Sequence, residues 1–152
     1  MSSKKTAFLQ RSPRMVTADT TPVTVESRLA WFREHNPNNR PIWVVEDGGN
    51  TLGWLSFSSF YNRPAYNSTA EVSIYIAEEH RGNGIGKKLL AKAIDESPKL
   101  GIITILGFIF GHNEPSLQLF LKFNFEQWGY LPKVAVLDGR EKDLVILGLR
   151  VV

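Results

Sequence analysis

Apolar positions along this chain recur with two periods, and the switches between them mark out its elements. "EVSIYIA" (71–77) alternates, with Val72, Ile74 and Ile76 facing one way, which predicts a half-buried strand. "PIWVVED" (41–47) and "TLGWLSFSSF" (51–60) also read as strands, joined through Gly48, Gly49 and Asn50 as a hairpin. From about Gly84 to Glu96 the period lengthens: Ile85, Leu89 and Ala93 form a helical stripe, and Pro98 lies beyond its end. "IITILGFIF" (102–110) is almost unbroken apolar sequence, as a central strand covered on both faces requires. Asn113 caps a predicted helix through Phe123, with Pro115 tolerated in its first turn and Asn124 suited to a left-handed terminator. "KVAVL" and "LVILGL" flank Asp138-Gly139 as a second hairpin. An earlier helix is expected from a cap at Thr24 to about His35, with Val25, Leu29 and Phe32 on one face. The order β-β-β-α-β-α-β-β implies an α/β class with a mixed sheet and helices on its faces.

Composition narrows the possible chemistry. A chain of 152 residues is one domain's worth. With no cysteine there is no disulfide, no thiolate metal site and no cysteine nucleophile. No apolar run approaches the ~20 residues of a membrane span and no signal-peptide pattern opens the chain, so a cytoplasmic protein without membrane contact is expected. The net charge of +3 is concentrated: residues 1–14 carry Lys4, Lys5, Arg11 and Arg14 with no acid, which leaves −1 for the rest. Residues 1–14 therefore read as a basic, flexible leader and residues 15–152 as a single domain, with no basic face to track nucleic acid. His35, His80 and His112 are too scattered to form a metal site. Trp43 and Trp54 read as core or pocket wall, not as a stacking platform.

The sharpest motif is "EHRGNGIGKKLL" (79–90), which places Gly82, Gly84 and Gly86 at every second position before a helix. A strand–glycine-loop–helix leaves free backbone N–H groups at a helix N-terminus, where the dipole favours an anion. A Walker loop requires Ser or Thr after its lysine, but Lys87 is followed by Lys88. A Rossmann fingerprint requires G-x-G-x-x-G, and here the third glycine arrives one residue early. The spacing that fits is R-x-x-G-x-G, on Arg81, Gly84 and Gly86. A turn that serves only compact packing is the alternative reading of the same glycines.

With this loop, the later "GHNEPS" with Asn113 and Ser116 in register, "RPAYNSTAEVSIYI" and "LDGREKDLVILG", the chain resembles the GCN5-related N-acetyltransferases, and within them the phosphinothricin acetyltransferase type. The resemblance covers roughly residues 14–150. It implies the acyl-CoA N-acyltransferase fold, a mostly antiparallel sheet flanked by helices, with acetyl-CoA as co-substrate and no metal. It also implies a homodimer with sites near its interface. The family opens with a strand and helix, whereas the polar leader here reads as neither. Many relatives carry Tyr or His where this chain has Phe120, which cannot donate a proton.

Several residues follow as candidates. Glu71 starts a strand otherwise short of charge, and partial burial raises a glutamate from ~4.3 towards the ~6–7 useful to a general base. The resemblance places the catalytic glutamate there; read without its surroundings, Glu71 is a solvated strand-end residue. By resemblance, backbone groups of Ile74, Tyr75 and Ile76 pair with the pantetheine arm of acetyl-CoA. Arg81, Gly82, Asn83, Gly84, Ile85, Gly86 and Lys87 hold its pyrophosphate. Asn113 and Ser116 contribute from the next helix, where capping is an equal role for Asn113. Arg63 suits a substrate carboxylate or phosphinate because guanidinium binds such groups bidentately; a surface-loop arginine is the alternative. Tyr66, Val72 and Ser73 line the same pocket beside Glu71. The expected reaction is direct attack by a small amino-acid-like amine in a ternary complex. Acetylation of a peptide N-terminus and a non-catalytic CoA-binding module are the alternatives.

Overall fold

A computed structural model describes the backbone of Ser2–Lys4 and residues 39–152; the helix expected over 24–35 and most of the leader lie outside them. Its strands are β1 (Ser2–Lys4), β2 (Ile42–Asp47), β3 (Asn50–Ser59), β4 (Thr69–Ile76), β5 (Thr104–Phe110), β6 (Glu126–Leu137) and β7 (Arg140–Arg150). Two α-helices, α1 (Ile85–Glu96) and α2 (Glu114–Lys122), lie between β4 and β6. Among the described residues one seven-stranded sheet runs in the order β1-β2-β3-β4-β5-β7-β6. Every neighbouring pair is antiparallel except β4 with β5. No helix among the described residues is long and apolar enough to cross a membrane.

Turn chemistry explains both hairpins. Gly48 (φ 58°) and Gly49 (φ 86°) bridge the Asp47–Asn50 pair, so Asn50 belongs to the strand and not to the turn. Asp138 (φ 53°) and Gly139 (φ 77°) do the same between Leu137 and Arg140. Two consecutive left-handed residues match the twist of the strands they join.

Two expectations need correction. Ser2–Lys4 pair antiparallel with Val44–Glu46, so this piece of the leader, which reads as neither strand nor helix, is an edge strand of the sheet. β6 also begins at Glu126, well before "KVAVL". Pro132 and Lys133 break the alternation there, and the strand absorbs them in an irregularity between Leu131 and Ala135. Lys133 takes φ 53°, its N–H donates to Asp143 Oδ1 at 2.8 Å, and the Tyr130 hydroxyl donates to the same carboxylate. One acidic side chain thus supplies the partner that an interrupted ladder lacks.

The helix-bearing face holds the main core. Leu55, Phe57, Val72, Ile105 and Leu147 pack with Leu89, Leu90 and Ala93 of α1 and with Phe120 of α2. Each such side chain contributes about 1.5–3 kcal/mol through removal from water. A smaller cluster, Ile42, Val44, Trp54, Tyr75 and Ala77, forms on the other side. Because strand side chains alternate, Glu71 and Ser73 share the face of Tyr75, away from α1 and α2.

Candidate active site

β4 and β5 run parallel but stay paired only over Thr69–Thr104, Ala70–Ile105 and Glu71–Leu106. Both strands continue, to Ile76 and Phe110, without further pairing between them. The sheet therefore opens into a cleft whose inner end is Glu71. Hydrogen-bond directions show which groups face it. Ser68 O accepts from the β5 side, from Ile103 N at 2.8 Å and Thr104 N at 3.2 Å. Ala77 N donates the other way, to Leu52 O at 2.8 Å. Alternation then directs the backbone groups of Ile74 and Ile76, with the carbonyl of Val72, into the cleft and turns those of Tyr75 towards β3.

The outer end of the cleft leads into the glycine loop. β4 passes through a 3₁₀ turn at Glu78–His80 and then Arg81, and Gly82 (φ 85°) and Gly84 (φ 77°) take left-handed conformations. Gly84 starts α1 with no side-chain cap, and the Lys88 N–H to Gly84 O bond (3.1 Å) is the first of the helix. The amides of Ile85, Gly86 and Lys87 thus have no acceptor inside the helix and sit at its positive end. Arg81, Gly82, Asn83 and Lys87 are exposed around them, whereas the Ile85 side chain is buried in the core. Gly86 serves a different need. A Cβ there meets Leu119 Cδ2 at 3.1 Å, so its smallness lets α1 approach α2.

Asn113 is buried and caps α2, its Oδ1 accepting from Ser116 N at 3.3 Å. Phe120 is 3% exposed and meets Phe125 edge-on at 4.9 Å. Its ring also lies against Gly107, where a Cβ would fall 2.8 Å from Cε2. This side chain is core, with no proton to give.

At the inner end Glu71 is half-buried, and burial raises its carboxyl above the usual range. Ser58 pairs directly with Glu71 across β3–β4, and Ser56 with Ser73. Neither Ser56 nor Ser58 stands out in the sequence, since only the register brings them beside the carboxylate. Phe60 and Phe108, with ring centroids 6.3 Å apart, come together over this end of the sheet. Phe60 also meets Tyr66 (5.9 Å), and Tyr66 meets Tyr61 (5.4 Å). Arg63 is exposed, its guanidinium carbon 5.1 Å from the Tyr61 ring centre. Arg40 ties this loop to the start of β2 through Nη2 donating to Asn67 O at 2.8 Å. The structure thus places Glu71 and Ser73 on one face at the inner end of the cleft, joins Tyr66 to that end through Phe60, sets Arg63 beside Tyr61, and puts the glycine loop at the other end. Val72 is buried and turns its side chain to the helix face, so only its backbone faces the cleft. Among the described residues no group of three or more potential metal ligands occurs.

The sequence profile of the family described as Acetyltransferase (GNAT) family matches residues 8–125. The chain belongs to the GNAT acetyltransferase family. The Bacillus subtilis protein YwnH, which its name assigns provisionally as a phosphinothricin acetyltransferase, is 56% identical over 136 residues, 89% of this chain and 83% of YwnH. The L-methionine sulfoximine/L-methionine sulfone acetyltransferase of Salmonella typhimurium is 31% identical over 128 residues, 84% of this chain and 75% of that protein. A GNAT superfamily phosphinothricin acetyltransferase from Sinorhizobium meliloti, solved in complex with acetyl-CoA, superposes with a TM-score of 0.83 at 30% identity, covering 90% of this chain and 74% of that one.

Proposed function

We propose that this chain transfers acetyl from acetyl-CoA to the amine of a small amino-acid-like acceptor of the phosphinothricin or methionine sulfoximine type. The observation that carries the reading is the cleft itself. Unpaired strand backbone runs from a carboxylate at its closed end to a helix N-terminus at its open end. Ile76 lies five positions beyond Glu71, roughly 17 Å at strand rise. The amides at Ile85, Gly86 and Lys87 would hold the pyrophosphate with Arg81, Gly82, Asn83 and Gly84. Ile74 and Ile76 would pair with the amides of the pantetheine arm; Tyr75, whose backbone faces β3, contributes through its place in the sheet. Asn113 and Ser116 would border the arm from the start of α2.

Glu71 is the proposed base and Arg63 the proposed clamp for the acceptor's acid group, with Tyr66 and Ser73 beside it. Acetyl-CoA supplies an activated acyl group, and this chain's part is to hold both reactants and remove a proton. A thiol of pKa near ~8.5 leaves readily as thiolate, so the reaction does not depend on an acid at Phe120. We further propose a cytoplasmic homodimer, with residues 15–152 as one catalytic domain.

An acceptor screen that follows thiol release from acetyl-CoA tests this. Methionine sulfoximine and phosphinothricin should react, their carboxamides roughly 10- to 150-fold less well in kcat/KM, and Arg63→Ala should remove most of that difference. Turnover of peptide N-termini with none of small amino acids would overturn the acceptor class. Acetyl-CoA binding without turnover of any amine would leave a CoA-binding module instead.

A further inference from the structure

Face to face with Glu71 lies a patch of hydroxyls that a sheet surface near a core does not need. Ser58 stands directly opposite Glu71 on β3, and Ser73 follows Glu71 by two residues on the same face of β4. Ser56, opposite Ser73, completes the block and is buried. Directly paired Cβ atoms lie about 4.5–5.5 Å apart, and these side chains are short, so together they form a low polar patch beside the carboxylate. Its surroundings are bulky and apolar: Trp54 stacked on Tyr75 (5.8 Å) on one side, Phe60 against Phe108 (6.3 Å) on the other. Among the described residues no side chain or backbone group hydrogen-bonds directly to the Glu71 carboxylate. Ser58 and Ser73 are half-buried on the face that carries Glu71, where a small polar molecule can bridge their hydroxyls to the carboxylate.

We propose that Ser58 and Ser73 are positioning residues that hold the water through which Glu71 receives the acceptor's proton. This rests on the reading of Glu71 as the base. The acceptor ammonium N–H breaks and its proton passes to the water oxygen as one of the water's own protons passes to a Glu71 carboxylate oxygen. The freed nitrogen lone pair forms the new C–N bond at the thioester carbonyl, the C–S bond breaks with its electron pair leaving on sulfur, and the second proton of the now cationic nitrogen passes to that thiolate, which gives the neutral amide and the CoA thiol. The serine hydroxyls neither gain nor lose a proton overall; they fix the water's place. Relay geometry of this kind tolerates little displacement, because proton transfer requires hydrogen-bond reach at each step.

Ser58→Ala and Ser73→Ala are assayed separately against wild type with methionine sulfoximine and acetyl-CoA. Each should lower kcat about 10-fold or more while acetyl-CoA affinity by calorimetry stays within about twofold, which also reports an intact fold. Loss of a hydroxyl from the relay should move the acidic limb of the kcat/KM profile to higher pH. Ser58→Thr, which keeps the hydroxyl, should restore most of the rate. Ser58→Ala and Ser73→Ala both within about twofold of wild type, with an unmoved acidic limb, overturn the proposal. Equal loss in Ser58→Ala and Ser58→Thr overturns it as well, since packing and not the hydroxyl would then matter. Glu71→Gln separates the two layers. If that variant keeps its turnover, the base reading fails; if it is inactive while the alanine variants are normal, only the serine assignment fails.

Discussion

At Glu71, burial works against the charged form that a base requires. The same desolvation raises its pKa, which suits proton abstraction near neutral pH and costs stability there. Between the unfolded value of ~4.3 and the raised folded value, the native state binds more protons than the unfolded state. Stability therefore falls as pH rises through that window, and the deficit is complete above it. Glu71→Gln keeps the shape and removes the charge. It should lower turnover by ~10²–10⁴-fold with acetyl-CoA affinity nearly unchanged, and raise Tm at neutral pH. That gain should shrink as pH falls and vanish well below ~4.3, where both states are protonated. Melting curves across pH beside kcat check both halves, and wild-type turnover in the variant would remove Glu71 from the mechanism. The carboxylate could be picked out of "AEVSIY", but its neighbour Ser58 could not. Thirteen positions separate the two, and no local pattern specifies which residue of β3 faces which of β4.

Among the elements, the loop and α1 divide their glycines between two jobs. Gly84 has φ 77° with open space around its missing Cβ, so alanine there is resisted by the backbone, at about 1–2 kcal/mol, and not by a neighbour. Gly86 is helical, and its alanine presses on Leu119 Cδ2. Gly84→Ala should therefore weaken acetyl-CoA binding by disturbing the direction of the amides that begin α1. Gly86→Ala should lower Tm unless Leu119 gives way by a few tenths of an ångström, with a smaller effect on affinity. Calorimetry and thermal melts on both variants separate the roles; indistinguishable profiles would contradict the division. The motif's spacing was legible because a phosphate-binding turn demands glycine. That one glycine of the series answers to α2 was not legible, since Leu119 lies 33 positions further along the chain.

Across the whole molecule, the decisive feature is a sheet left unpaired in its middle. If acetyl-CoA lies in the cleft as an added strand, amides of Ile74 and Ile76 should gain hydrogen-exchange protection on binding. Tyr75, already turned to β3, should change little. At about 100-fold excess over Kd the ligand adds ~2.7 kcal/mol, which for a chain of this size is roughly 5–11 °C in Tm. Equal protection along β4, or none, would contradict this placement. Local chemistry written in the sequence determined the strands from their alternation, both hairpins from their turn residues, α1 and α2 from their stripes and stops, and the glycine loop. Pairing decided the rest. Ser2–Lys4 became a strand because β2 had a free edge, and β6 ran through Pro132 because Asp143 supplied the lost partner. The cleft exists because β4 and β5 part after Glu71 and Leu106. Side-chain periods are local and survive in one dimension, whereas register and separation between strands depend on residues far apart in the chain and arise only when the sheet assembles.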